Sequence, residues 1–263
     1  MKILLACGEF LLKGISTALF GILLLLAFAI TAPMGSELYY GFYRYDYLLF
    51  YALIIQGLLL YFKLETWAEA KVIALFHLLG LIMELFLTHP AIASWHYPQP
   101  SIFKIETVPL FAGFMYSAVG SFFARSLRVY QVEFERLPSF AIMLILAVVS
   151  YLNFMTKYFF GDIRYILFVV STLLFWRTMA LFRLKHYQFK VPMLLLLWFL
   201  AFMIWIAENM STFYKIWLYP SQIEAWKMVS WQKMGSWYLL LLLSLVFVLK
   251  VLGHQQNGVW RLK

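Results

Sequence analysis

Two glutamates lie at the ends of long apolar stretches, where an ionisable side chain is costly to bury. Glu84 opens the segment "ELFLTHPAIASWHYP" and Glu208 opens "ENMSTFYKIWLYP". A charged group at membrane depth costs about 2.5–3.5 kcal/mol on insertion scales, so both residues are functional candidates. Two carboxylates in one apolar site raise the pKa of one of them, which can then hold a proton at neutral pH. We predict an acid and base pair; a helix-end glutamate that reaches the lipid headgroups is the alternative.

Each glutamate is followed by the motif Trp-x-Tyr-Pro, as "WHYP" at residues 95–98 and "WLYP" at residues 217–220. Tryptophan and tyrosine suit the headgroup level of a bilayer, and proline disfavours a helical residue before it. One interpretation is a pair of interfacial anchors that end a helix. The other is an aromatic wall around a substrate, made of Trp95, Tyr97, Trp217 and Tyr219.

Further polar residues occur near the same predicted helix ends. We predict that they orient a substrate or stabilise charge: His89, Asn153, Asp162, Arg164, Asn209 and Lys233. Asp162 also suits the start of the helix that follows it, and this capping role remains an alternative. Lys233 could pair with Glu208.

His77, Glu84 and His89 are the residue types that bind a metal ion. The first two lie seven positions apart, about two helical turns or 10.5 Å, which is too far for one ion. The sequence therefore predicts no metal site, favours His77 as a hydrogen-bonded core residue and identifies no cofactor. A small-residue stripe, Gly113 to Ser121, favours close helix packing.

The composition is that of a multi-pass membrane protein. The chain has 263 residues, of which 64% are hydrophobic and 13% charged, against about 45–50% and 25% in soluble domains. A net charge of +9 then indicates loops facing an anionic leaflet rather than nucleic acid. The expected partners are membrane lipids and a hydrophobic small molecule.

Apolar stretches predict an all-α membrane bundle of about eight transmembrane helices in a single domain, residues 1–263. The segments are 13–32, 46–63, 70–88, 108–126, 138–156, 164–182, 191–210 and 235–252. The repeated Glu and Trp-x-Tyr-Pro pattern predicts two four-helix halves, 1–130 and 131–263, as a 4+4 parallel pseudo-repeat. Such halves often hold a site at their interface.

Lysine and arginine bias predicts the orientation. We count 13 of these residues on the side of the termini, including Lys2 and Lys263, and seven on the other side, including Arg44. Cytoplasmic loops carry the excess. Both termini are therefore predicted to be cytoplasmic, with the Trp-x-Tyr-Pro motifs on the outer face.

Four stretches carry a family resemblance: "THPAIASWHYP", "VPLFAGFMYSAVGS", "NFMTKYFFGDIR" and "WIAENMSTFYKIWLYPSQIEAW". Over most of residues 60–250 the chain resembles the YoaT-like family of bacterial integral membrane proteins, which implies a bacterial inner membrane and no settled activity. At the level of fold it is also similar to membrane lycopene cyclases. It departs from their Pro-Glu-Glu pattern at "VPLFAG".

These observations predict a membrane enzyme or binding protein for a lipid or isoprenoid-type substrate, with the site in the outer leaflet. A proton-coupled transporter of a small solute is the first alternative. The apolar run "VPMLLLLWFLAFMIWIA" weighs against it, because it contains no polar side chain that could line a transport path across the bilayer. A structural subunit without chemistry is the second alternative.

Overall fold

The computed structural model describes residues 2–256 and 258–262. Within these residues the chain forms nine α-helices and seven short strands. The helices are α1 (Lys2–Thr17), α2 (Leu19–Ile30), α3 (Arg44–Tyr61), α4 (Trp67–Leu87), α5 (Ala112–Val129), α6 (Phe140–Phe160), α7 (Arg164–Phe175), α8 (Met193–Phe213) and α9 (Trp231–Leu252). The strands are β1 (Lys104–Ile105), β2 (Val108–Pro109), β3 (Glu133–Glu135), β4 (Met179–Arg183), β5 (Gln188–Pro192), β6 (Gly253–Gln256) and β7 (Val259–Leu262).

Fewer helices are able to cross a membrane than the eight that the sequence predicts. In the described part of the chain, α4, α6, α8 and α9 are long and apolar enough to cross a bilayer, and α1 with α2 form one further candidate bent by 63°. The 12-residue helix α7 is about 18 Å long, too short for a hydrocarbon core of about 30 Å. The structure thus gives four candidate spans, or five with the bent pair.

The segment predicted as a helix over 164–182 ends early, and a sheet follows. Helix α7 stops at Phe175, and β4 joins an antiparallel sheet of order β5-β4-β3-β7-β6. The all-α prediction is corrected to a mostly helical fold with this added sheet. Its strands have three to five residues, so their alternation is too short to stand out beside long apolar helices.

Two compact units make up the chain, each from separate stretches. The first contains residues up to 19, 120–204 and from 231 onward, and the second contains 20–119 and 205–230. The division of the chain into two four-helix halves, residues 1–130 and 131–263, remains a prediction.

In the first unit, α9 packs mainly against α6 and also against α7, and its Tyr238 ring meets α8. The ring of Tyr238 stacks on Trp198 at a centroid distance of 4.4 Å. Its hydroxyl lies 3.0 Å from the Ser171 hydroxyl. Gly235 leaves space for the ring of Phe168, which a Cβ at that position would meet at 2.7 Å.

Salt bridges link basic and acidic side chains on the sheet of the first unit. Glu133 forms salt bridges with Arg183 at 2.9 Å and with Arg261 at 3.0 Å. Lys190 pairs with Glu135 at 2.8 Å. Arg183, Lys190 and Arg261 are three of the 13 basic residues that the sequence predicts on the same side of the membrane as the termini. Lys263 lies outside the described residues, as does the side chain of Lys2.

In the second unit, α4 and α8 carry the two glutamates near their C-terminal ends. A capping box starts α4: the Thr66 hydroxyl accepts from the Glu69 amide at 3.2 Å, and the Glu69 carboxylate accepts from the Thr66 amide at 2.7 Å. The box gives hydrogen-bond acceptors to two backbone amides that have no partner within the helix. It therefore fixes where α4 begins, and Glu84 falls in its last turn.

Helices α4 and α5 approach closely through two glycines. Gly80 on α4 lies under the ring of Tyr116, and Gly113 on α5 lies under the ring of His77. His77 also packs edge-on against Phe114 at 4.6 Å. In the described residues its buried Nδ1 has no hydrogen-bond partner. The prediction of a hydrogen-bonded core histidine is therefore corrected: His77 is a packing residue.

Adding a methyl group at Gly113 tests this packing. A Cβ there would lie 2.9 Å from His77 Cγ, so we expect Gly113→Ala to lower the free energy of unfolding by about 1–3 kcal/mol. Gly57 on α3 has open space around it. The control Gly57→Ala should be neutral or stabilising by up to about 1 kcal/mol. Unfolding in mixed micelles measures both, and equal effects would contradict the packing argument.

Candidate functional site

Glu84 is a buried carboxylate with a donor on each oxygen. It is 2% exposed. Trp95 Nε1 donates to Oε2 at 2.8 Å, and the Tyr116 hydroxyl donates to Oε1 at 2.6 Å. Tyr116 reaches this position because its ring crosses α4 at Gly80, one turn before Glu84. Sequence patterns did not indicate this contact of Tyr116; Gly80 was the signal that could have done so.

Glu208 is the matching carboxylate on α8 and is 3% exposed. The hydroxyl of Tyr219 hydrogen-bonds its Oε1. Each glutamate therefore bonds an aromatic residue of the motif that follows it. The first motif contributes its tryptophan and the second its tyrosine.

The two Trp-x-Tyr-Pro motifs pair with one another. His96 and Leu218 form an antiparallel bridge, with N–O distances of 3.0 Å and 2.9 Å. This register places Trp95 opposite Tyr219, and their rings meet edge-on at 6.0 Å. The motif is therefore more than a membrane anchor, because its backbone joins the segments that carry the donors to both glutamates.

Tyr97 belongs to the same cluster. Its ring is half-buried and its hydroxyl is buried. Burial, followed by the charge of Glu84, raises the pKa of Tyr97 well above its usual value. The phenol therefore keeps its proton at neutral pH.

The other predicted residues of the second unit lie around this cluster. Asn209 holds a loop, since its amide donates to the Trp205 carbonyl at 2.8 Å and its oxygen accepts from the Val229 amide at 2.9 Å. His89 is exposed, and its Nδ1 accepts from the Ala91 amide at 3.2 Å. Trp217 is half-buried, and its side chain hydrogen-bonds the hydroxyl of Tyr219. The structure thus brings Glu84, Glu208, Trp95, Tyr97 and Tyr219 together.

Asn153, Asp162 and Arg164 form a separate network in the first unit. Asn153 donates to Asp162 at 3.1 Å and accepts from the Ile163 amide at 2.9 Å. Asp162 accepts from the backbone and the guanidinium of Arg164. Partial burial opposes ionisation, but the hydrogen bonds from Arg164 and Asn153 outweigh it and lower the pKa of Asp162 to about 2. The network lies at the start of α7, where Asp162 accepts from the amide of Arg164, the first helical residue. The N-cap residue itself is Ile163, which makes no side-chain cap hydrogen bond.

Lys233, the remaining predicted residue, lies in the first turn of α9 and interacts electrostatically with Lys157 on α6. Among the described residues, no three His, Cys, Asp or Glu side chains are grouped to hold a metal ion.

The fold and this cluster define a class: a helical, membrane-type protein with two buried glutamates tied to aromatic donors. The sequence profile of the family "Protein of unknown function (DUF817)" matches residues 7–245. "Uncharacterized protein YoaT" of Bacillus subtilis (strain 168) is 41% identical over 205 residues, covering 78% of this chain and 77% of that protein. The chain belongs to this family, which confirms the YoaT-like resemblance. No solved structure matches it.

Removing the indole donor tests the Glu84 site. We expect Trp95→Phe to lower the free energy of unfolding by about 1–3 kcal/mol, because a buried acceptor loses its partner. The matched control is Trp67→Phe, since the Trp67 side chain is 76% exposed. Chemical unfolding in detergent measures both variants. A loss no larger than that of the control would show that this hydrogen bond contributes no stability.

Acid titration tests the Asp162 network. Its pKa is lowered from 3.8 to about 2 in the folded protein, so the carboxylate adds stability that is complete above the unfolded pKa. That contribution disappears as the pH falls from about 4 to about 2. We expect wild type to be more stable than Asp162→Asn near neutral pH, and the gap to close over this range. A gap independent of pH would contradict the assignment.

Proposed function

We propose that this protein acts on a lipid or isoprenoid-type molecule in the outer leaflet, with Glu84 and Glu208 as base and acid. The observation that carries the proposal is one buried cluster with two carboxylates and their aromatic donors. Tyr219 bonds Glu208 and also interacts electrostatically with Glu84. Tyr116 bonds Glu84 and interacts with Glu208. The two carboxylates are thus coupled through phenols that can donate and accept protons.

The donors suggest which glutamate carries the proton. An indole N–H donates and never accepts, so Trp95 favours Glu84 in its ionised form. Two charges in one buried cluster are unfavourable, so the second carboxyl keeps a proton. Glu208 is then the general acid and Glu84 the general base.

The surroundings favour a substrate that comes from the bilayer. Apolar side chains are exposed on both helices that carry the glutamates, including Ile82 (48%) on α4 and Met210 (40%) and Phe213 (58%) on α8. Exposed apolar side chains on a spanning helix face lipid tails. A hydrophobic molecule in the bilayer can therefore contact both of these helices without crossing water.

Deuterium exchange with a mixture of lipids tests this function without a purified substrate. The full-length protein in lipid nanodiscs is incubated in D2O with a total bacterial lipid extract, and mass spectrometry follows carbon-bound deuterium. Acid and base transfer at carbon would label one lipid class. We expect Glu84→Gln and Glu208→Gln each to reduce labelling at least about 100-fold, the usual scale for such groups.

The matched control is Glu106→Gln, because Glu106 is an exposed acid between β1 and β2. This variant should label lipid at the wild-type rate. No labelling by folded wild-type protein, or equal labelling by all variants, would contradict the enzyme.

Proton-coupled transport is the second candidate, favoured by the same chain of phenols and carboxylates. Proteoliposomes with an internal pH dye test it, because solute-dependent acidification that Glu84→Gln abolishes would favour transport. The apolar residues 193–204 of α8 weigh against it. A structural subunit would show neither labelling nor acidification.

The same proposal includes two parallel halves in a bacterial inner membrane, with both termini cytoplasmic. The antiparallel bridge between His96 and Leu218 supports a local twofold relation of the motifs. Arg183, Lys190 and Arg261, which the lysine and arginine bias assigns to the cytoplasmic side, all pair with acids of strand β3 and support one cytoplasmic face.

A further inference from the structure

A small recess opens in the first unit where α6 ends and where α7 and α9 begin. Its walls include Ser150, Lys157, Arg164 and Ser236. It has room for about one water-sized group. The acid and base cluster described above belongs to the second unit, so this recess is a separate feature.

The recess is bordered by more cations than anions. The Lys157 ammonium lies over the rings of Phe154 at 4.5 Å and Tyr158 at 5.2 Å, so aromatic faces are its partners. Lys157 is close enough to Arg164 and Lys233 to interact with both. Asp162 is the acid of this group and is bound to Arg164. Of the residues that line the recess, Lys157 and Arg164 are cations, and Asp162 neutralises Arg164. The charge of Lys157 therefore remains to attract an anion.

A buried hydroxyl points to an oxygen ligand. Ser150 is 1% exposed, and its Oγ has no hydrogen-bond partner in the part of the chain that the structure describes. A buried polar group without a partner destabilises a fold. A ligand oxygen inside the recess would supply that partner. The positive end of the α7 dipole adds to the attraction.

We propose that this recess binds the phosphate of an anionic lipid headgroup. One phosphate oxygen enters towards Ser150, while the remaining oxygens stay at the mouth and meet Lys157, Arg164 and Lys233. The size of the recess requires this arrangement, since a whole phosphate does not fit inside.

The surroundings identify a lipid rather than a free anion. Four large apolar or aromatic side chains beside the α6–α7 turn are exposed: Phe159 (64%), Phe160 (85%), Tyr165 (70%) and Ile166 (61%). They offer an apolar surface to acyl chains directly next to the cations. A soluble phosphate would use none of this surface.

Native mass spectrometry of the full-length protein in mild detergent tests the proposal. The probes are dioleoylphosphatidylglycerol and dioleoylphosphatidylcholine, which share acyl chains and differ in net charge. We expect wild type to retain phosphatidylglycerol preferentially. Lys157→Gln should weaken this retention about fivefold, the order expected for one cation near an anionic surface. Lys157→Arg keeps the charge and should keep the preference.

Two further variants separate binding from folding. Ser150→Ala removes the buried hydroxyl, so it should weaken retention of phosphatidylglycerol while leaving lipid-free stability unchanged or higher. The control Lys104→Gln changes an exposed lysine of the second unit and should retain lipid as wild type does.

Three results would overturn the proposal. They are equal retention of the two lipids by wild type, equal losses in Lys157→Gln and Lys104→Gln, and inorganic pyrophosphate binding with no retention of phosphatidylglycerol. The last result would assign the recess to a soluble anion. None of them bears on Glu84 or Glu208, so the proposed function stands or fails separately.

Discussion

The burial of Glu84 and Glu208 is the constraint on which the second unit depends. A carboxylate away from water needs hydrogen-bond donors, and the helix that carries it has none to spare. The donors must come from other segments, and here they come from the loop after α4, from α5 and from the loop after α8. Both loops therefore fold back onto the helix ends, and their backbones meet at the bridge between His96 and Leu218.

The repeated motif contributes different residues at its two occurrences. An antiparallel register sets the first residue of one motif against the third residue of the other, so Trp95 faces Tyr219. Glu84 then receives an indole N–H and Glu208 a phenol. Two similar sequences have produced two unlike environments. This difference is what two carboxylates need if one is to be an acid and the other a base.

Sequence patterns predicted the long helices and the centre of the site, but not the contacts between distant segments. Each of the eight apolar segments overlaps a helix, because about 20 apolar residues leave few other structures. The motif follows each glutamate in the sequence, and in the structure Trp95 contacts Glu84 and Tyr219 contacts Glu208. Tyr116 and Glu84 are 32 positions apart in the chain. Their contact requires that Gly80 has no side chain, because the ring of Tyr116 occupies that space. Strand β3 has three residues and forms only through partners some 45 and 125 positions later.

The placement of Arg44 shows that this unit keeps its buried cation away from Glu84. Arg44 is 1% exposed, and among the described residues its acceptors are all uncharged: the Phe28 and Tyr214 carbonyls, Thr31 and Gln99. A guanidinium beside a carboxylate holds it in the ionised form. Neutral donors such as Trp95 and Tyr116 also favour the ionised carboxylate, but less strongly than a guanidinium would. Glu84 is thus buried and bonded, yet it can still take up a proton, which is the property that acid and base chemistry at this site requires.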